Sequence, residues 1–248
     1  PTSATALNNL TKQGAGTATL NQPLITVNGN FTTVAAGGTF AMAANSISLA
    51  GNFTSAAALT ATTGSASTFT ITGNCLLTST TTPQVNNLVV TGTLTPTGTG
   101  NYRVNGNYTV DPGATVNAGV GTVTFGGTTV VTNNGTMNLN NVTFGAAANT
   151  MTAPVTTMGI AGNFTSSGVF NNGGGTILFN GTTALSAAEV YNNITISGTV
   201  TSANVGQTVA GSMINNNSFN IGTGALTWSG SGTLSGTGAT TVGDVSVT

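Results

Sequence analysis

Histidine is absent from this chain, and charge nearly so: Lys12, Arg103, Asp111, Glu189 and Asp244 are its only ionised side chains. They make up 2% of the residues, against roughly 25% in ordinary soluble domains. Each gap removes a class of function. Without histidine, and with three scattered carboxylates, general acid–base catalysis has few candidates. The single cysteine, Cys75, gives neither a disulfide framework nor, with no histidine beside it, a transition-metal ligand set. Two cations cannot form the phosphate-neutralising patch that nucleic-acid binding rests on. No segment approaches the ~18 consecutive apolar residues of a membrane helix. Enzyme activity, cofactors, metal ions, nucleic acid and a membrane span are therefore not expected.

What remains is glycine, at 36 of 248 residues, with threonine and asparagine throughout and apolar residues at 38%. Disordered chains combine low hydrophobicity with high net charge; here the net charge is −1 and the mean hydropathy +0.24. An uncharged polar chain of this kind stays out of aggregates by folding into regular β-structure, with the backbone hydrogen bonds supplying the cohesion. The chain opens on Pro1 with no basic and apolar leader before it, which reads as a mature exported chain or an excised fragment.

One short pattern recurs: apolar, any, apolar, any, Gly, any, then apolar or Thr. Ile25, Val27, Gly29 and Phe31 show it; Ile47, Leu49, Gly51 and Phe53 repeat it, and so do Phe69, Ile71, Gly73 and Cys75. Those glycines step by 22 residues, from 29 to 51 to 73. Later copies carry Gly92, Gly106 (with Tyr108), Gly127 (after Phe125), Gly162 (with Phe164), Gly181 (after Phe179) and Gly198. Period-2 alternation means strands with one buried face. A glycine in phase with the inward residues marks a corner where a side chain would collide. Such a unit cannot bury its inner face alone, so neighbours must stack. The expected fold is an all-β parallel β-solenoid of about twelve short coils, a rod roughly 55 Å long at ~4.8 Å per coil. Its expected core includes Phe31, Phe53, Cys75, Tyr108, Phe125, Phe164, Phe179 and Trp228.

A longer repeat lies over the short one. Asn86–Gly92 matches Asn140–Gly145 and Asn192–Gly198 at offsets of 54 and 52, and Gly121–Thr129 matches Gly175–Thr183. Gly51-Asn52-Phe53-Thr54 returns as Gly106-Asn107-Tyr108-Thr109 and Gly162-Asn163-Phe164-Thr165. In this register Cys75 takes the place of Thr129 and Thr183. The expectation is three coils per ~54-residue module in a single solenoid domain. Residues 1–45 then hold N-terminal coils or a donated strand, residues 46–208 the modular coils, and residues 209–248 an incomplete last module.

The phrases Gly175–Thr183, Asn192–Ile196 and Gly198–Thr201, with residues 84–95 as a second copy, resemble the repetitive β-solenoid regions of bacterial surface and adhesin-like proteins. The resemblance covers most of residues 45–201. It implies the architecture and an extracellular or cell-surface setting, and it supplies no catalytic residues.

The remaining chemistry has plain readings. Asp111 and Glu189 are separated by 78 positions, from 111 to 189, about four coils or ~19 Å along a rod, whereas glycosidase carboxylates stand roughly 5 to 9.5 Å apart. Asp111-Pro112-Gly113 reads as a turn before it reads as a calcium ligand. Lys12 invites an amide crosslink to an Asn, against the simpler reading of a solvated lysine. Asn30, Asn52, Asn107 and Asn163 form glycosylation sequons, yet each follows a corner glycine, where stacked amide ladders explain them. Threonine pairs such as Thr68/Thr70 and Thr122/Thr124 raise ice binding, although along the chain Thr, Asn, Ser and Gly alternate irregularly. Cys75 reads as an inert apolar filler in the slot held by Phe31, Phe53 and Tyr108.

The leading expectation is a non-enzymatic structural subunit of an extracellular filament or surface layer, its partner being itself, joined end to end by coil stacking or strand complementation. Alternatives are a stalk segment of a longer adhesin and an ice-binding solenoid. Glycans or cell-surface polysaccharide are candidate partners.

Overall fold

In a computed structural model, residues 5–35 and 38–248 are described, and they form a parallel β-solenoid with no helix. The first four residues of the segment expected to be donated lie outside them. Residues 5–12 pair with the second coil of their own chain, Thr5 with Ile25 and Leu10 with Phe31.

Thirty-seven short strands are described; they pair in parallel with strands three away in chain order, the ladder breaking only between Leu59–Ala61 and Gln84–Val85 and between Val169–Asn171 and Val190–Tyr191. Three strands therefore close one coil, and the rod has three faces and about twelve coils. Sheet I begins with Thr5–Leu7, Leu24–Val27 and Ser46–Leu49. Sheet II is the longest, twelve strands from Leu10–Lys12 to Leu234–Ser235. The third face carries a three-stranded sheet, Ala18–Thr19, Phe40–Ala43 and Leu59–Ala61, and then sheet III, nine strands from Gln84–Val85 to Ala239–Thr241.

Inward positions form one continuous apolar core, as the alternation requires. Phe31, Phe53, Cys75, Tyr108, Phe125, Phe164, Phe179 and Trp228 are all buried. Phe31 and Phe53 stack on successive coils with ring centroids 5.0 Å apart and planes 15° apart. The corner glycines have the expected reason. A Cβ on Gly51 would collide with the Gly29 carbonyl, and one on Gly198 with the backbone of Gly181. The coils approach there too closely for any side chain.

Two expectations need correction. The long module spans eight strands, not the nine of three coils: its copies Thr68–Ile71, Thr122–Phe125 and Thr176–Phe179 are eight strands apart in chain order. Eight strands make two and two-thirds turns, so successive copies fall on sheets I, III and II. The module thus winds around the rod, one face per repeat. Sequence period reports what recurs but not how many corners close a turn.

Cys75 is inward, but not over Phe53. The strand Asn74–Ser79 extends three residues before the start of Phe53–Ser55, so Leu77 pairs with Phe53 and Cys75 pairs with Leu94 of the next coil. Such corner insertions vary the distance to the stacked partner. It is 17 residues from Thr176 to Asn193 and 24 from Phe53 to Leu77.

Candidate functional site

The reactive side chains are dispersed. Cys75 is 1% exposed, among Phe53, Phe69, Leu77, Leu94 and Tyr102, and burial pushes its thiol up to about 12. At ordinary pH it is a protonated apolar filler and not a nucleophile. The equivalent residues of the long repeat, Thr129 and Thr183, are equally enclosed, and neither hydroxyl has a hydrogen-bond partner among the described residues.

Lys12 departs from the solvated reading. It points inward at the edge of sheet II, 7% exposed, at the head of an inward polar file with Thr33, Ser55 and Ser79. Its Nζ donates to the carbonyls of Gln13 (2.9 Å) and Gly14 (2.6 Å). Those are its hydrogen bonds among the described residues, and none reaches an Asn carboxamide or a carboxylate, the partners a crosslink requires. The rest of the file serves the corner backbone: Thr33 Oγ1 donates to Ala57 O at 2.9 Å, and Ser79 Oγ to Asn101 O at 2.9 Å.

Asp111-Pro112-Gly113-Ala114 is a turn, closed by Ala114 N–H donating to Asp111 O at 3.0 Å, with Gly113 at φ 81°. Glu189 lies four coil steps along the same face, in front of the strand Val190–Tyr191. Its side chain is buried, which raises its carboxyl, and a hydrogen bond with Ser166 opposes that shift. The neighbouring Tyr191 hydroxyl is fully enclosed and has no partner among the described residues. No group of three or more His, Cys, Asp or Glu side chains gathers among the described residues, and no helix is long and apolar enough to cross a membrane.

The corner asparagines build an ordered array, though not the side chain-to-side chain ladder expected. In most of them Oδ1 accepts the backbone N–H of the next coil: Asn9 from Asn30 (2.8 Å), Asn30 from Asn52 (2.9 Å), Asn52 from Leu76 (2.9 Å), while Asn107 Oδ1 makes no such bond among the described residues. The same bond joins Asn87 to Asn107, Asn141 to Asn163, and Asn163 to Ala184. At corners the chain turns out of the sheet ladder, and the carboxamide replaces the lost carbonyl acceptor.

Threonines that look irregular along the chain fall into files on sheet II. Thr11, Thr32, Thr54, Thr78 and Thr97 stack in consecutive coils, with Thr78 and Thr97 hydroxyls 2.8 Å apart. A second file runs Thr93, Thr115, Thr136, Thr157 and Thr176, the Asn138–Gly159 pairing setting Thr136 beside Thr157. Every outward position of this sheet is uncharged, since Lys12 faces inward. Reading the sequence at constant period missed these files, because partner spacing varies from coil to coil. Aligning the strand phrases coil by coil, with insertions allowed at corners, is the signal that finds them.

The comparisons leave these features without a template: no family model, curated protein or solved structure matches the chain.

Proposed function

We propose that this chain is a non-enzymatic structural subunit of an extracellular filament or surface layer, lengthened by stacking coil on coil. The observation that carries the reading is the uniform edge. Each coil offers the next the same parallel backbone ladder, the same apolar interior and corner Asn carboxamides aimed along the axis at N–H groups. An edge of this kind accepts a coil from another copy as readily as one from its own chain. Leu234 of the twelfth coil and Val245 and Val247 of the strand that follows that coil are 55%, 64% and 77% exposed, and a further coil would cover them. The resemblance to bacterial surface solenoids and the near absence of charge support the extracellular setting.

Negative-stain microscopy with sedimentation velocity tests the proposal. Unbranched filaments growing with concentration are expected. A dispersed monomer at high concentration overturns self-assembly and leaves the stalk of a longer surface protein, in which further coils of the same chain cover the edge.

The threonine files favour a second reading, binding to ice by the uncharged sheet II. Thermal hysteresis that is lost in Thr115→Lys and kept in Thr143→Lys, on sheet III, would support it; absence of hysteresis in the native chain would dismiss it.

A further inference from the structure

Sheet II is interrupted at one place. In its outward file Asn138 pairs with Gly159 and Gly159 with Leu178, so the middle coil of three lacks a side chain. Asn138 and Asn180, two coils apart, reach across the gap, Asn180 Nδ2 donating to Asn138 Oδ1 at 3.1 Å. Asn138 is an outward residue of the strand Thr136–Leu139, and its oxygen is held by a side chain two coils away, not by a backbone N–H of the next coil as at Asn30 and Asn52. The result is a groove of about 420 Å³ crossing the face, walled by Asn134, Thr136, Asn138, Thr157, Leu178 and Asn180. That is within the ≈ 300–1,000 Å³ of ordinary ligand sites.

The wall is braced from behind. Asn133 is buried, its Nδ2 donating to Thr157 O at 2.6 Å and its Oδ1 accepting Gly135 N–H at 3.2 Å. The groove side chains are not committed in this way. Asn180 Oδ1 is enclosed and has no partner. Among the described residues no hydrogen bond engages the Asn134 carboxamide, the Thr136 and Thr157 hydroxyls or Asn138 Nδ2.

We infer that this groove binds a neutral saccharide chain. Its free groups include both donors and acceptors, which suits hydroxyls acting in both senses. It contains no charge to attract or balance an ionic ligand, and a carboxylated or sulfated sugar would lose hydration without an ion pair in return. Leu178, outward and half-buried, provides an apolar contact for a C–H face. The groove lies across an exposed face and spans three coils, roughly 10 Å along the rod, so it suits a segment of a chain.

The test is calorimetric titration of the full chain with neutral hexasaccharides, β-1,4-glucan, β-1,4-linked N-acetylglucosamine and α-mannan, beside hexagalacturonate. At least one neutral probe is expected to bind, and the acidic one to bind at least about tenfold more weakly, ~1.4 kcal/mol. Gly159→Val fills the gap and Asn138→Ala removes the bridging carboxamide without filling it. Each should weaken binding about tenfold or more, while Thr143→Val on sheet III leaves it unchanged. Binding by none of the neutral probes, preference for the acidic one, or affinity unaffected by both groove variants would overturn the inference. Since the groove lies on the side of the rod, it can be titrated in filament or monomer, and its failure is separate from failure of the assembly reading.

Discussion

Three buried groups carry most of what single residues can test. Cys75 sits in a dry apolar pocket with its thiol pushed up to about 12, so a thiol reagent at pH 8 should label the folded chain negligibly and the denatured chain to one equivalent. Thr183 occupies the equivalent slot with an orphaned hydroxyl, and an unmade buried hydrogen bond costs about 1–3 kcal/mol. Thr183→Val should therefore be more stable by about 1 kcal/mol, read from the denaturant midpoint. Glu189 titrates the other way from a surface carboxylate, because burial raises it above its ordinary 4.5. Between pH 4.5 and its raised value the folded chain keeps this proton more than the unfolded chain does. Its stabilising contribution is full below about pH 4.5 and falls as pH rises through the raised value. Glu189→Gln should flatten that decline in melting temperature against pH. The burial of Cys75 was legible from its phase in the repeat. The orphaned hydroxyls and the burial of Lys12 were not, because sequence phase says which way a side chain points but not which backbone groups lie within its reach.

At the scale of strand and corner, stability rests on what lets coils approach. Gly51→Ala places a Cβ against the Gly29 carbonyl, a backbone atom that cannot swing aside, and should cost at least ~2 kcal/mol. Gly16→Ala, where no atom of the described residues lies within 4 Å of the added Cβ, should change stability by less than about 0.5 kcal/mol. The pair separates steric exclusion from a general dislike of losing glycine. Asn52→Ala removes the acceptor of the Leu76 N–H and should cost about 1 kcal/mol, less if water reaches that corner. The glycine corners were readable in the sequence because exclusion of a side chain leaves a fixed residue type at a fixed phase. The asparagine role was half readable: the residue type marked the corner, while its partner, a backbone N–H one coil away, depends on register.

For the whole molecule, cohesion comes from backbone ladders and an apolar core with hardly any ions. Filament formation and melting temperature should therefore change little between 0.01 and 1 M salt, about 30 Å to 3 Å in screening length. A steep salt dependence would show that the few charges govern assembly. The eight-strand module gives the rod a further property: equivalent surfaces recur after two and two-thirds turns on successive faces, so any feature copied with the module is distributed around the rod. The threonine files and the Gly159 groove do not follow the module. They follow one face, and so they arise from stacking and not from the repeat.

The sequence by itself determined the class of the fold, which apolar residues face inward, where the glycine corners fall and about how many coils there are, because alternation and side-chain exclusion act locally along the chain. Only the tertiary structure decided the number of strands per turn, the pairing of Cys75 with Leu94, the threonine files and the bridge from Asn138 to Asn180. All four depend on which residues stack, and that is set by hydrogen-bond register across coils whose lengths change at every corner.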